Sequence, residues 1–149
     1  MKLFPKKRFF NQKEEKALIE AIRQAEKNTS GEVRVHLESK TGDLTAFERA
    51  LVVFQELEMH QTELRNGVLF YLAAQSHQFS IVADEGINEV VPDDFWENIK
   101  ENLQVEFAQK RFAEGIIEAI QTTGEQLKNH FPFSGDDQNE LPNEISQGD

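Results

Sequence analysis

The sequence predicts an α/β domain, a three-layer α/β/α sandwich in which helices flank a small mixed sheet. Three observations predict it. Segments with helical apolar spacing alternate with apolar runs of strand length. Two of those runs, "VLFYLAA" and "FSIVADEG", are separated only by "QSHQ", too short for a crossover, so they pair as an antiparallel hairpin. The run before them, "EVRVHLES", reaches "VLFYLAA" through a helix, which makes that pair parallel.

The elements follow in order. "NQKEEKALIEAIRQAEKNTSG" is a helix opened by an Asn11–Glu14 capping box, with Ala17, Leu18, Ala21, Ile22 and Ala25 on one face and Gly31 as its stop signal. "EVRVHLES" puts Val33, Val35 and Leu37 on one side and Arg34, His36 and Glu38 on the other, a strand with one polar face at or near an edge. A Thr45–Glu48 capping box opens the next helix, whose core stripe is Phe47, Ala50, Leu51, Phe54 and Leu57. "VLFYLAA" is continuously apolar, as in a strand covered on both faces. Pro92 with an Asp94–Glu97 box starts a helix buried through Phe95, Trp96, Ile99, Leu103 and Phe107. A last helix carries Phe112, Ile116, Ile117, Ile120 and Leu127.

A chain of 149 residues with 38% hydrophobic residues sustains one core and one domain. Residues 1–10 read as a basic arm, 11–133 as the folded domain, and 134–149 as an acidic tail without structure. The absence of cysteine removes disulfides and thiolate chemistry, so any metal is held by oxygen or histidine. A net charge of −11 opposes binding to a phosphate backbone and excludes nucleic acid as a partner. No stretch is long and apolar enough to span a bilayer, and the chain is expected to be soluble, cytoplasmic and monomeric.

The predicted topology gathers polar residues at one rim of the sheet. The beginnings of the first two strands lie beside the end of the third, so "TSGE", "TELRNG" and "DEG" converge there, with "PDD" a short loop away. Glu32, Asn66, Asp84, Glu85, Asp93 and Asp94 are the candidate ligands, all hard oxygens suited to calcium or magnesium. Each has a plainer reading: Asp93 and Asp94 as helix caps, Asn66 as the partner of Gly67 in a turn, Glu32 as a solvated charge. His36, His60, His77 and His130 lie on different elements without ligand spacing and read as surface or loop residues. Trp96 reads as a core anchor.

"TSGEVRV", "RNGVLFYLA", "FSIVADEGI" with "VPDDFW", "FAQKRFAEGIIEAI" and "HFP" together resemble the TPM domain family over roughly residues 10–132. That family includes thylakoid-lumen proteins linked to photosystem II repair, described as acid-phosphatase-like, and many small bacterial proteins. The resemblance implies a three-layer α/β fold and a divalent-cation site, usually calcium, at one sheet edge. It matches Asn66 to the family's Asn-Gly and Asp93 to its Pro-Asp, while "DEGINE" stands where many relatives carry a glycine-rich segment. Two function classes follow. One is a calcium-binding structural or interaction module with a protein partner still to be named. The other is a metal-dependent acid phosphatase acting on phosphomonoesters, with metal-activated water and Arg65 as phosphate clamp, unless Arg65 pairs with Glu63 or Glu32. No P-loop, Gly-x-Ser-x-Gly elbow or cysteine nucleophile is present, so no catalytic residue is assigned.

Overall fold

In a computed structural model the described residues are 9–132 and 145–148. Helix α1 (Gln12–Glu26) leads to strand β1 (Glu32–Glu38), helix α2 (Ala46–Glu56) and the hairpin β2 (Gly67–Ala73) and β3 (Gln78–Ala83). A single helical turn α3 (Glu85–Asn88), the helices α4 (Phe95–Ala108) and α5 (Phe112–His130), and a two-residue strand β4 (Ser146–Gln147) complete the order. The sheet runs β3-β2-β1-β4, with β1 parallel to both β2 and β4 and β2 antiparallel to β3. The α/β class and its mixed sheet are as the sequence predicts. Among the described residues no helix is long and apolar enough to cross a membrane.

Helices lie on both faces, and β2 is apolar on both. Val33, Val35 and Leu37 of β1 join Val68, Phe70 and Leu72 of β2 beneath α1, α4 and α5 in one core. Leu69, Tyr71, Ala73 and Val82 face the other way, against Ala50, Val53 and Phe54 of α2. Capping boxes at Asn11–Glu14 and Thr45–Glu48 start α1 and α2, each side chain accepting from the N–H three residues on and each glutamate returning the bond.

Several expectations are corrected. Asp94 precedes α4 but makes no side-chain capping bond, so the third capping box is absent. Helix α1 ends at Glu26, well before Gly31, and Asn28 takes the left-handed turn. Gly31 serves close packing instead, since a Cβ there would stand 2.5 Å from Leu127. Phe10, placed in the arm, is buried at 2% exposure in the core; residues 1–8 lie outside the described set. In the tail, 133–144 lie outside it too, but Ser146–Gln147 pair with His36–Leu37, so structure continues there. The α2 stripe is half wrong: Ala50 and Phe54 are buried, whereas Phe47 and Leu51 are 53% and 43% exposed.

Candidate functional site

Strand β1 begins and ends on a carboxylate, and Glu32 and Glu38 are both buried. At its mouth Glu32 lies in register with Gly67, and its N–H donates to the carbonyl of Asn66 at 3.4 Å. Asn66 is 1% exposed. Its Nδ2 donates to Ser30 Oγ at 3.2 Å, while its Oδ1 is buried with no hydrogen-bond partner among the described residues. Glu26, the last residue of α1, reaches over the same mouth and accepts from the Val33 N–H at 2.8 Å. Burial pushes the Glu26 carboxyl up to about 9 against the opposing bond from Val33, and the charge of Glu32 adds to the rise. At neutral pH Glu26 is protonated, so the two acids do not place two like charges in a low-dielectric site.

Asp84 is buried at the end of β3, and its N–H donates to the Gly67 carbonyl at 3.0 Å. Arg65 grips it bidentately, Nε to Oδ2 at 2.7 Å and Nη2 to Oδ1 at 2.8 Å. Asp84 also caps α3 by accepting from the Glu85 N–H. Gly86 then donates to the Arg65 carbonyl at 2.8 Å. A Cβ at Gly86 would lie 2.0 Å from the Leu64 carbonyl oxygen, so only glycine admits this approach. "DEG" is thus a latch between the start of β2 and the end of β3, and Arg65 pairs with Asp84 rather than with Glu63 or Glu32.

The topology therefore brings Glu32, Asn66 and Asp84 to one rim. Glu85 is exposed beside Arg65, Oε1 to Nη1 at 3.4 Å. Asp93 and Asp94 are exposed on the loop before α4. Among the described residues no three His, Asp or Glu side chains form a metal-holding group. Glu26 was missed by sequence reading, although it continues the buried α1 positions 18, 22 and 25 one place beyond the last apolar one.

At the far end of β1 the polar face is interior, so the reading of His36 as a surface residue is corrected. Both nitrogens Nε and Nη2 of Arg49 donate to Glu38, Nε at 3.1 and 2.9 Å from its two oxygens. Tyr71 Oη donates to Glu38 Oε2 at 2.6 Å, and His36 Nε2 lies 3.3 Å from Oε1. Burial works against the Glu38 charge, but the bonds from Arg49, Tyr71 and His36 prevail and hold its carboxyl down at about 2. Burial lowers His36 despite Glu38, and burial then Glu38 raise Tyr71. His36 Nδ1 meets Ser146 Oγ of β4 at 2.7 Å.

A small mixed sheet with helices on both faces and a polar rim at the start of its parallel strands defines the class. The sequence profile of the TPM domain matches residues 5–126, and the chain belongs to the TPM domain family. It is similar to the BA42 protein of the psychrophilic bacterium Bizionia argentinensis, whose NMR structure matches with 48% identity and a TM-score of 0.86, covering 95% of this chain and 97% of that one. The N-terminal domain of a P. gingivalis protein shares the fold at 17% identity and a TM-score of 0.70, covering 85% of this chain and 83% of that chain. An N-terminal domain from Corynebacterium glutamicum shares it at 13% identity and a TM-score of 0.63, covering 84% and 78%. No curated protein matches the chain.

Proposed function

We propose that this TPM domain is a divalent-cation-binding structural or interaction module, with calcium as the ion and magnesium as the weaker competitor. The carrying observation is the buried Oδ1 of Asn66, unpartnered among the described residues, at the mouth of β1, where Glu26 and Glu32 share one proton's worth of relief. A cation there would give the amide oxygen a partner and replace the proton as the neutraliser of the carboxyl pair. Glu32, Asn66 and Glu26 are the proposed ligands, and hard oxygen donors suit this ion. Asp84 acts through Arg65 and the latch that positions Asn66. Glu85, Asp93 and Asp94 are exposed and stand outside this set.

The acid-phosphatase reading has less behind it, because the guanidinium that would clamp a phosphate is held by Asp84. The test is a calcium titration followed by amide chemical shifts. Residues 26, 30–32 and 66–67 are expected to move, with one proton released per ion and affinity rising with pH as Glu26 becomes easier to deprotonate. Glu32→Gln should weaken binding severely, since ligand charge sets affinity in such sites. If millimolar calcium and magnesium leave those amides unmoved, the proposal fails.

A further inference from the structure

The two edges of β1 are met in different ways. On one side β2 pairs with all seven of its residues, and the Glu32 N–H turns that way to the Asn66 carbonyl. The backbone groups of Val33, Val35 and Leu37 therefore face the outer edge. There the Val33 N–H donates to Glu26 Oε2 at 2.8 Å. The Val35 carbonyl accepts from Ser146 Oγ at 3.3 Å, and the Leu37 carbonyl accepts from the Gly148 N–H at 2.6 Å. The strand that lies along this edge, β4, has only two residues.

Residues 145–148 fit this edge through their side chains as well as their backbone. Ser146 lies in register with His36, and its neighbours alternate between the two faces of the sheet. Ile145, on the core face, packs against the main hydrophobic cluster. Ser146, on the polar face, meets His36 Nδ1 at 2.7 Å. Gln147 is exposed. Gly148 returns to the polar face, where a Cβ would stand 2.8 Å from Glu38 Cγ and Oε1 and 3.1 Å from His36 Nε2. Those Glu38 atoms do not swing aside, because Arg49 and Tyr71 hold the carboxylate. The edge thus reads a pattern: apolar, hydroxyl, open position, glycine.

We infer that the outer edge of β1 is a strand-docking site selective for an apolar-Ser-x-Gly segment running parallel to β1. The chain's own residues 145–148 are its ligand in cis, and a partner protein presenting the same pattern in extended form is the kind that replaces them. The seated segment itself specifies that occupant, since its contacts at Ile145, Ser146 and Gly148 depend on residue type and not on extended backbone alone. Strand addition draws affinity from the backbone and selectivity from alternate side chains, and both are present here. The pairing is also small enough to exchange, two residue pairs against the seven between β1 and β2. Being part of the same chain, the cis segment competes at an effective concentration on the order of millimolar. A free peptide therefore meets an occupied edge until that segment is weakened.

The experiment weakens the cis segment in the full chain and offers the same segment back as a peptide. Gly148→Val drives side-chain atoms onto Glu38, and Ser146→Ala is the milder variant that removes the hydroxyl alone. The probe is a synthetic peptide of residues 143–148, Asn-Glu-Ile-Ser-Gln-Gly, followed by the amide shifts of Val35 and Leu37 and the imidazole signals of His36. It is expected to bind the Gly148→Val chain about tenfold or more tightly than the unaltered chain, with the Ser146→Ala chain between them. A peptide carrying Gly148→Val should lose this binding, and one carrying Ser146→Ala should weaken by several-fold. Failure of the peptide to bind the weakened chains, equal binding to the unaltered chain, or shifts that avoid β1 overturns the inference. So does equal binding of the peptide altered at Gly148. A Gly148→Val chain whose Val35, His36 and Leu37 signals stay in place overturns it as well, since the cis segment would then be held without any demand for glycine.

Discussion

The two ends of β1 solve the same problem in opposite ways. Each buries a glutamate, yet Glu38 keeps its charge and is met by Arg49, Tyr71 and His36, whereas Glu32 faces another acid, Glu26, which keeps its proton. At one end the buried charge is met by hydrogen-bond donors. The other holds an amide oxygen without a hydrogen-bond partner among the described residues, beside a carboxyl that keeps its proton. A strand otherwise uniform in burial is thus finished at its C-terminal end and unfinished at its N-terminal end, and the unfinished end is where a ligand adds most.

The largest break in this contrast comes from Arg49→Ala. It strands the Glu38 charge inside the protein, and denaturant unfolding should show a loss of about 3 kcal/mol. A loss below about 1 kcal/mol would mean that Tyr71 and His36 suffice. At the other end the Arg65–Asp84 latch also depends on a close steric fit. Gly86→Ala forces a Cβ onto the Leu64 carbonyl and should cost about 2 kcal/mol, with amide shifts concentrated at residues 64–67.

The pH dependence separates the ends without mutation. Glu38, held at about 2, contributes stability that is full above its unfolded value of 4.5 and is lost as pH falls from there toward 2. His36, lowered by burial, loses stability in the same direction below 6.5. Glu26 has the opposite sign: raised from 4.5 to about 9, it leaves stability intact below 4.5 and erodes it as pH rises toward 9. Thermal unfolding should therefore peak in mildly acidic buffer. Glu26→Gln should flatten the alkaline limb, gaining stability at pH 8 and nothing at pH 4, and should abolish the proton release proposed to accompany calcium binding. An unchanged alkaline limb would mean the carboxyl pair is already relieved. The smallest effect is Ser146→Ala, which removes the partner of His36 Nδ1 and should cost about 0.5–1 kcal/mol.

Much of this architecture is readable from local pattern. The unbroken run "VLFYLAA" announces a strand covered on both faces, and the four residues between it and β3 settle a hairpin. From those, the meeting of Glu32, Asn66 and Asp84 at one rim follows by topology alone. What stayed hidden depends on contacts between distant residues. Alternation shows that Arg34, His36 and Glu38 share a face, but burial of that face is decided by Arg49 and Tyr71, which no spacing connects to it. Glu26 looks like one more charge on an acidic helix until the helix end is placed over β1. Phe47 and Leu51 fit a core stripe by period, yet α2 packs on β2 and β3 through Ala50, Val53 and Phe54 and leaves them outside. Strand β4 has two residues, too few for any period to register.

That short strand also sets a clock. His36 and Ser146 touch, but 110 residues separate them in the chain. At synthesis rates of about 5–20 residues per second, β1 exists for on the order of 5–20 s before the residues that cover its edge have been made. During that interval β2 can already lie along one side of β1 while the other side stands open to whatever strand is nearby. The duration is governed by how fast the ribosome reads the codons after β1, so the exposure of the sheet's central strand is set by translation and not by the stability of the finished fold.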